Sequence, residues 1–170
     1  MPNIPDFPEV DIFSIHLQHI EVIRSLVERS AGAEARDLRP ITGYNFGIQQ
    51  SSGFSLERKS MRQQLFIKVE SQHAENGSEA DIIGEFAFSF VFHIATLEQH
   101  HTEQHGRPTV DLKLASNLLR IAYSTARGMV WERTVSTPLG GVLTPVIDVV
   151  KVLQEGKSEM PPSRLPETEA

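Results

Sequence analysis

The sequence predicts an α+β domain, with strands in its first half and helices in its second. Two observations carry this reading. In the first half, apolar residues alternate with period two. The clearest run is Ile82, Phe86, Phe88, Phe90, Phe92 and Ile94, all at even positions and therefore on one strand face. After the breaker Gly106-Arg107-Pro108 the rhythm changes. Leu112, Ala115, Leu119, Ala122, Ala126, Met129 and Val130 recur at three- and four-residue steps, the spacing of an amphipathic helix.

Taken in order, the elements differ in clarity. Three prolines among the first eight residues argue against a regular opening element, so residues 1–10 are expected to be flexible. The stretch IFSIHLQHIEVIRSLVERS, residues 12–30, fits two structures. Ile12, Ile15, Ile20, Ile23 and Val27 suit a helix, whereas Phe13, Ile15 and Leu17 suit a strand. Tyr44, Phe46 and Ile48 share one face of a next strand, and Leu65, Ile67 and Val69 one face of a third. The polar stretch between them, with Gly53 in Ser-Ser-Gly, reads as a turn. The fourth strand is expected at 82–97. Its second face, Ile83, Glu85, Ala87, Ser89, Val91, His93, Ala95 and Leu97, is small and half-apolar. A face open only to water is usually polar, so a second subunit or a client is expected to cover part of it.

The long helix is expected at 109–134, with Thr109 as candidate N-cap. Leu114, Leu118, Ile121 and Thr125 add a second, thinner apolar line. Thr-Pro-Leu-Gly-Gly-Val-Leu-Thr-Pro follows as a loop, then a short apolar helix with Asp148 in its first turn. One domain, residues 11–154, is therefore expected. Residues 155–170 form a tail rich in Pro, Glu and Ser, a composition of disorder.

Composition narrows the function. A chain of 170 residues can bury a sizeable core without staples. It has no cysteine, which excludes disulfides and thiolate metal sites and suits a reducing, cytoplasmic compartment. With 16 Lys+Arg against 22 Asp+Glu, a net charge of -6 and no basic cluster, nucleic-acid binding is disfavoured. No segment approaches the roughly 18–20 consecutive apolar residues of a membrane span. The N-terminus lacks the basic lead and apolar run of a secretory signal.

Residues 84–105 hold four phenylalanines and four histidines. His101 and His105 are four apart, as a helical metal pair would be. The zinc-hydrolase pattern, however, needs Glu directly after the first His, and here Glu103 is two away. His16 and His19 lie on the ambiguous element, and His93 lies on the small-residue face of its strand. A polar connecting segment is the simpler reading of His100, His101 and His105, so no metal is assigned. A His-based metal-dependent enzyme is kept as the rival class. No phosphate-binding Gly loop and no nucleophile-elbow serine is present. Glu85 alone sits among apolar neighbours, and a solvated edge charge is its default. Trp131 reads as core before binding anchor. No catalytic residue and no cofactor is assigned, and the protein reads as a non-enzyme.

Residues 117–153 resemble the C-terminal half of SecB-like export chaperones. In that family a long helix ends in a Gly/Pro loop, followed by an L-x-P-V turn and a short apolar helix. Leu143, Pro145 and Val146 match the turn, and the run Ser124-Thr125-Ala126-Arg127-Gly128 is closer to a divergent branch. With the strand-like segments before it, the resemblance spans residues 13–154. It implies a four-stranded antiparallel sheet with a long helix and a short C-terminal helix, assembled as a dimer of dimers. It also implies that the first element is a strand. The implied function is ATP-independent binding of unfolded polypeptides or preproteins through apolar grooves, without nucleic acid or membrane insertion.

Carried over by position, the resemblance places the client groove at Tyr44, Phe46, Ile48, Val142, Leu143, Val149, Val150 and Leu153. It places a contact for the SecA motor at Glu28, Ile83 and Glu85. One of the family's docking acids is Arg24 here, a charge reversal, and paired glutamines and glycines of the third strand are replaced by FAFSFVF. SecA coupling is thereby weakened, and a chaperone dedicated to the antitoxin of a toxin–antitoxin system is the alternative. A structural adaptor with an inactive groove is the third possibility.

Overall fold

The computed structural model describes residues 9–30, 40–73, 81–104 and 106–155. His105 and most of the two ends expected to be loose lie outside the described residues. A short 3-10 turn, Ile12–Ser14, leads into β1 (Ile15–Arg29), which settles the ambiguous first element as a strand. Then come β2 (Ile41–Ser55), β3 (Ser60–His73) and β4 (Ile82–Ile94). A second 3-10 turn (Leu97–His100) precedes the small strands β5 (His101–Gln104) and β6 (Arg107–Val110). Helices α1 (Leu112–Thr134) and α2 (Val149–Glu155) end the described chain. Strands β1 to β4 form one antiparallel sheet in the order β1-β4-β3-β2, and β5 pairs with β6. The α+β architecture with a long and a short helix is as expected.

The alternation in β4 builds the core. Phe86, Phe88, Phe90 and Phe92 are all 0% exposed, on the sheet face beneath α1. Register aligns Ile67 with Phe86, Leu65 with Phe88 and Met61 with Phe92 on that same inner face. Leu114, Leu118, Leu119, Ala122, Ala126 and Val130 come down from α1 to close the layer. Full burial of each phenylalanine contributes roughly 1.5–3 kcal/mol, so β4 is the main energetic anchor. Gly84 interrupts the row for a steric reason. A Cβ there would lie 2.9 Å from the Phe86 ring and 3.0 Å from Leu139.

Several boundaries differ from the sequence expectations. The strand expected to reach residue 97 stops at Ile94, because Ala95 donates to the Ser14 carbonyl and the chain turns away. The helix begins at Leu112, and Thr109 belongs to β6. Asp111 is the cap, its Oδ1 accepting from Lys113 N at 2.6 Å and Leu114 N at 3.2 Å. The polar stretch after Ser-Ser-Gly is largely strand: Gly53 pairs with Arg62, and the reversal lies at residues 56–59, where Lys59 takes φ 48. The expected histidine linker is partly ordered as the β5–β6 hairpin.

Among the described residues, no helix layers the sheet's outer face. Even so, Ala87 and Ser89 at its centre are buried, being small residues beneath larger neighbours, and Phe66, Ile83 and Val91 are half-buried. Among the described residues, no helix is long and apolar enough to cross a membrane.

Candidate functional site

The segment between α1 and α2 is held against the domain by hydrogen bonds that its sequence makes possible. Gly140 and Gly141 take φ +69 and +81, left-handed values that let the chain reverse after the helix. Thr134 is the hub of the reversal. Its Oγ1 donates to the Val130 carbonyl and accepts from Val142 N at 2.8 Å, while its carbonyl accepts from Gly141 N at 3.1 Å. Three side chains then fix the segment from outside it. Tyr44 donates to the Leu139 carbonyl at 2.6 Å, Tyr123 to the Pro145 carbonyl at 2.7 Å, and Arg127 Nε to the Thr144 carbonyl at 3.0 Å. Burial raises the Tyr123 hydroxyl above its ordinary pKa, with Thr144 and Arg127 acting in the opposite direction.

The consequence is a surface in which alternate residues are sorted in and out. Leu139 and Val142 are fully buried, whereas Leu143 is 64% and Val146 85% exposed. Asp148 then caps α2, its Oδ1 accepting from Val150 N at 3.0 Å and Lys151 N at 3.2 Å. That helix sets Val149 and Leu153 into the core and rests on β2 and α1. Tyr44, Phe46 and Ile48 line the inner face of β2, half-buried, with the Tyr44 and Phe46 rings 6.2 Å apart.

Of the eight expected groove positions, Tyr44, Phe46 and Ile48 lie half-buried on β2, which α2 contacts, and the Tyr44 hydroxyl reaches the connecting segment at Leu139. Val142, Val149 and Leu153 are enclosed within the chain itself, Val150 is half-buried, and Leu143 projects from the surface. Three features escaped the sequence reading. Val146 is the most exposed large apolar residue of the segment. Trp131 is 42% exposed and lies against Gly141, where a Cβ would come within 2.9 Å of its ring. Leu17, Ile20 and Val22 sit on the inner face of edge strand β1, between 36% and 39% exposed. Their apolar period is visible in the sequence, but that α1 stops short of them is not.

Glu28, Ile83 and Glu85 do come together. Glu28 faces Ile83 and Leu26 faces Glu85 across β1 and β4 on the outer face. Arg24, the residue of reversed charge, lies 2.6 Å from Glu85. On the neighbouring strand Lys68 is held by Glu70 at 2.6 Å. That hydrogen bond keeps its ammonium above the ordinary range, with Glu70 and Glu85 charges adding to it and desolvation opposing.

His100 and His101 have separate partners. His100 is 1% exposed, and its Nδ1 donates to Asp111 Oδ2 at 2.5 Å, joining the hairpin to the helix cap. His101 packs its ring edge-on to Phe54 at 5.8 Å. Among the described residues, no three His, Cys, Asp or Glu side chains are grouped to hold a metal ion.

No protein-family model matches the sequence, and no curated protein matches it either. Among solved structures, the chain is similar to the Mycobacterium tuberculosis SecB-like chaperone Rv1957, solved in complex with a ChAD peptide from the Rv1956 HigA1 antitoxin. The identity is 12%, the match covers 80% of this chain and 92% of that one, and the TM-score is 0.54. A protein of unknown function from Streptococcus agalactiae superposes with TM-score 0.41 at 11% identity, over 78% of this chain and 97% of that one. The chain has the SecB-like fold.

Proposed function

We propose that the protein is an ATP-independent holdase, a non-enzymatic chaperone that binds unfolded polypeptides and keeps them from aggregating. The observation that carries this reading is the apolar surface where β2, α2 and the connecting segment meet. Tyr44, Phe46 and Ile48 are half-buried on the β2 side, and Leu143 and Val146 of the connecting segment stand exposed. Binding there is driven by burial of client side chains, at roughly 25 cal/mol per Å². The chemistry of β2 supports the same reading. Among the described residues it ends the sheet, and none of its fifteen residues is charged or proline, so its outer edge lacks the charged or proline protection usual against pairing with another extended chain. The test is dilution of a denatured model protein into buffer with and without the chaperone, in the absence of ATP. Suppressed aggregation supports the proposal, and unchanged aggregation refutes it.

The antitoxin-dedicated reading is favoured by one further observation, that the Mycobacterium tuberculosis neighbour was solved with an antitoxin peptide. A protein that captures one antitoxin segment and ignores generic unfolded clients fits this reading. Capture of many clients fits general export to SecA. The Arg24–Glu85 pair, which offsets an acid on the face that SecA contact would use, weighs toward the dedicated role.

Self-association as a homotetramer is part of the proposal. Leu17, Ile20 and Val22 on β1, with Ile121 and Trp131 on α1, leave apolar area that a second and further copies would cover. The absence of cysteine suits a cytoplasmic setting.

A further inference from the structure

The outer sheet face carries an arrangement that polypeptide binding does not use. β1 pairs with β4 so that His16 lies directly opposite His93. Opposed residues of an antiparallel pair project from the same face, with Cβ atoms roughly 4.5–5.5 Å apart. That face is the outer one, because Leu17 and Phe92, the neighbours of the two histidines, point inward. The strand is also irregular at this point. A bulge between Leu17 and His19 inserts Gln18 as an extra residue, so His19 pairs with Val91. Without the bulge, positions 16 and 19 would fall on opposite faces. With it, His19 shares the face of His16 and His93, diagonal to His93. Bulges commonly re-aim a side chain in this way.

We propose that His16 and His93 form a two-imidazole site for a divalent late-transition metal ion, Zn2+, Ni2+ or Cu2+. Imidazole suits these ions, and metal–nitrogen bonds of about 2.0–2.1 Å let two rings on facing Cβ positions converge on one ion. Remaining positions are taken by water, since among the described residues no three His, Cys, Asp or Glu side chains are grouped to hold an ion. His16 is exposed and His93 half-buried, so the site is open to solvent and lies on the opposite side of the sheet from the helices. A bound ion would clasp β1, the edge strand, to the centre of the sheet.

The test uses full-length protein without an affinity tag, titrated with Zn2+ by calorimetry and followed in parallel by thermal melting. The expected result is one saturable site per chain and a melting temperature raised by the metal. Losing even an outer-shell partner commonly weakens a metal site 10–100-fold, so His16→Ala and His93→Ala should each weaken binding by at least about tenfold. Both variants should also lose the thermal shift. His101→Ala, distant in the β5–β6 hairpin, should change neither quantity. Titration without saturable binding, or binding that survives His93→Ala or His16→Ala, overturns the proposal. The holdase assay is independent of this readout, so failure of one leaves the other intact.

Discussion

Arg24 on β1 reaches across to Glu85 on β4, Nη2 to Oε2 at 2.6 Å, and so neutralises the acid that stands among small residues on the outer sheet face. The two side chains are 51% and 25% exposed, so solvent screens the pair and its net contribution is about 0–1 kcal/mol. Glu85→Lys places a cation between Arg24 and Lys68, its neighbours on either side. The expected outcome is a small fall in melting temperature with client holding unchanged, because the proposed groove lies on the inner side. Loss of holding by this variant would put the client on the outer face instead.

Asp111 joins two structures at once, capping α1 and receiving His100. Asp111→Ala should therefore destabilise by about 1 kcal/mol for the lost cap and about 1–3 kcal/mol for the buried imidazole left without its acceptor. Asp111→Asn retains an acceptor and should lose less. Urea midpoints of the two variants, compared at constant slope, give the ordering.

The extent to which these features could be read from the sequence follows from how local their causes are. The four-phenylalanine face was legible because period-two alternation is a local signal, and one strand carries it unaided. β1 was ambiguous because its two bulges break the alternation: Gln18 and Ile23 shift later residues to the other parity. The histidine segment was read as linker because the acceptor of His100 lies eleven residues away, beyond a hairpin. The same hairpin takes Thr109 and hands the cap to Asp111. Which groove residues face inward was not legible at all. Val142 and Leu143 are adjacent and equally apolar, and only the Thr134 hydrogen bonds and the two left-handed glycines decide that one is buried and the other projects.

Tyr123 gives a pH dependence. Burial raises its folded-state pKa above the ordinary 10.0, so the folded protein favours the protonated phenol. The associated stability is fully present below 10.0 and is lost as the pH rises through the raised value. Urea midpoints should fall across that alkaline range in the wild type. Tyr123→Phe should show a smaller alkaline fall, together with a lower midpoint at neutral pH from the lost bond to Pro145.

Leu143 and Val146 separate binding from stability. Both are exposed, and replacing each with Ser removes apolar surface from the proposed client site without opening a cavity. The double variant should melt within about 0.5 kcal/mol of wild type, as surface changes usually do, and yet hold clients several-fold less well. Leu153→Ser, by contrast, should lower stability, because Leu153 is part of the core.

The measurement that reaches the central claim most directly is light scattering of the purified protein, alone and mixed with an unfolded protein diluted from denaturant, with no ATP present. The account predicts a mass of about four chains that rises by a client's mass while the client stays in solution. A monomer beside an aggregating client would contradict it.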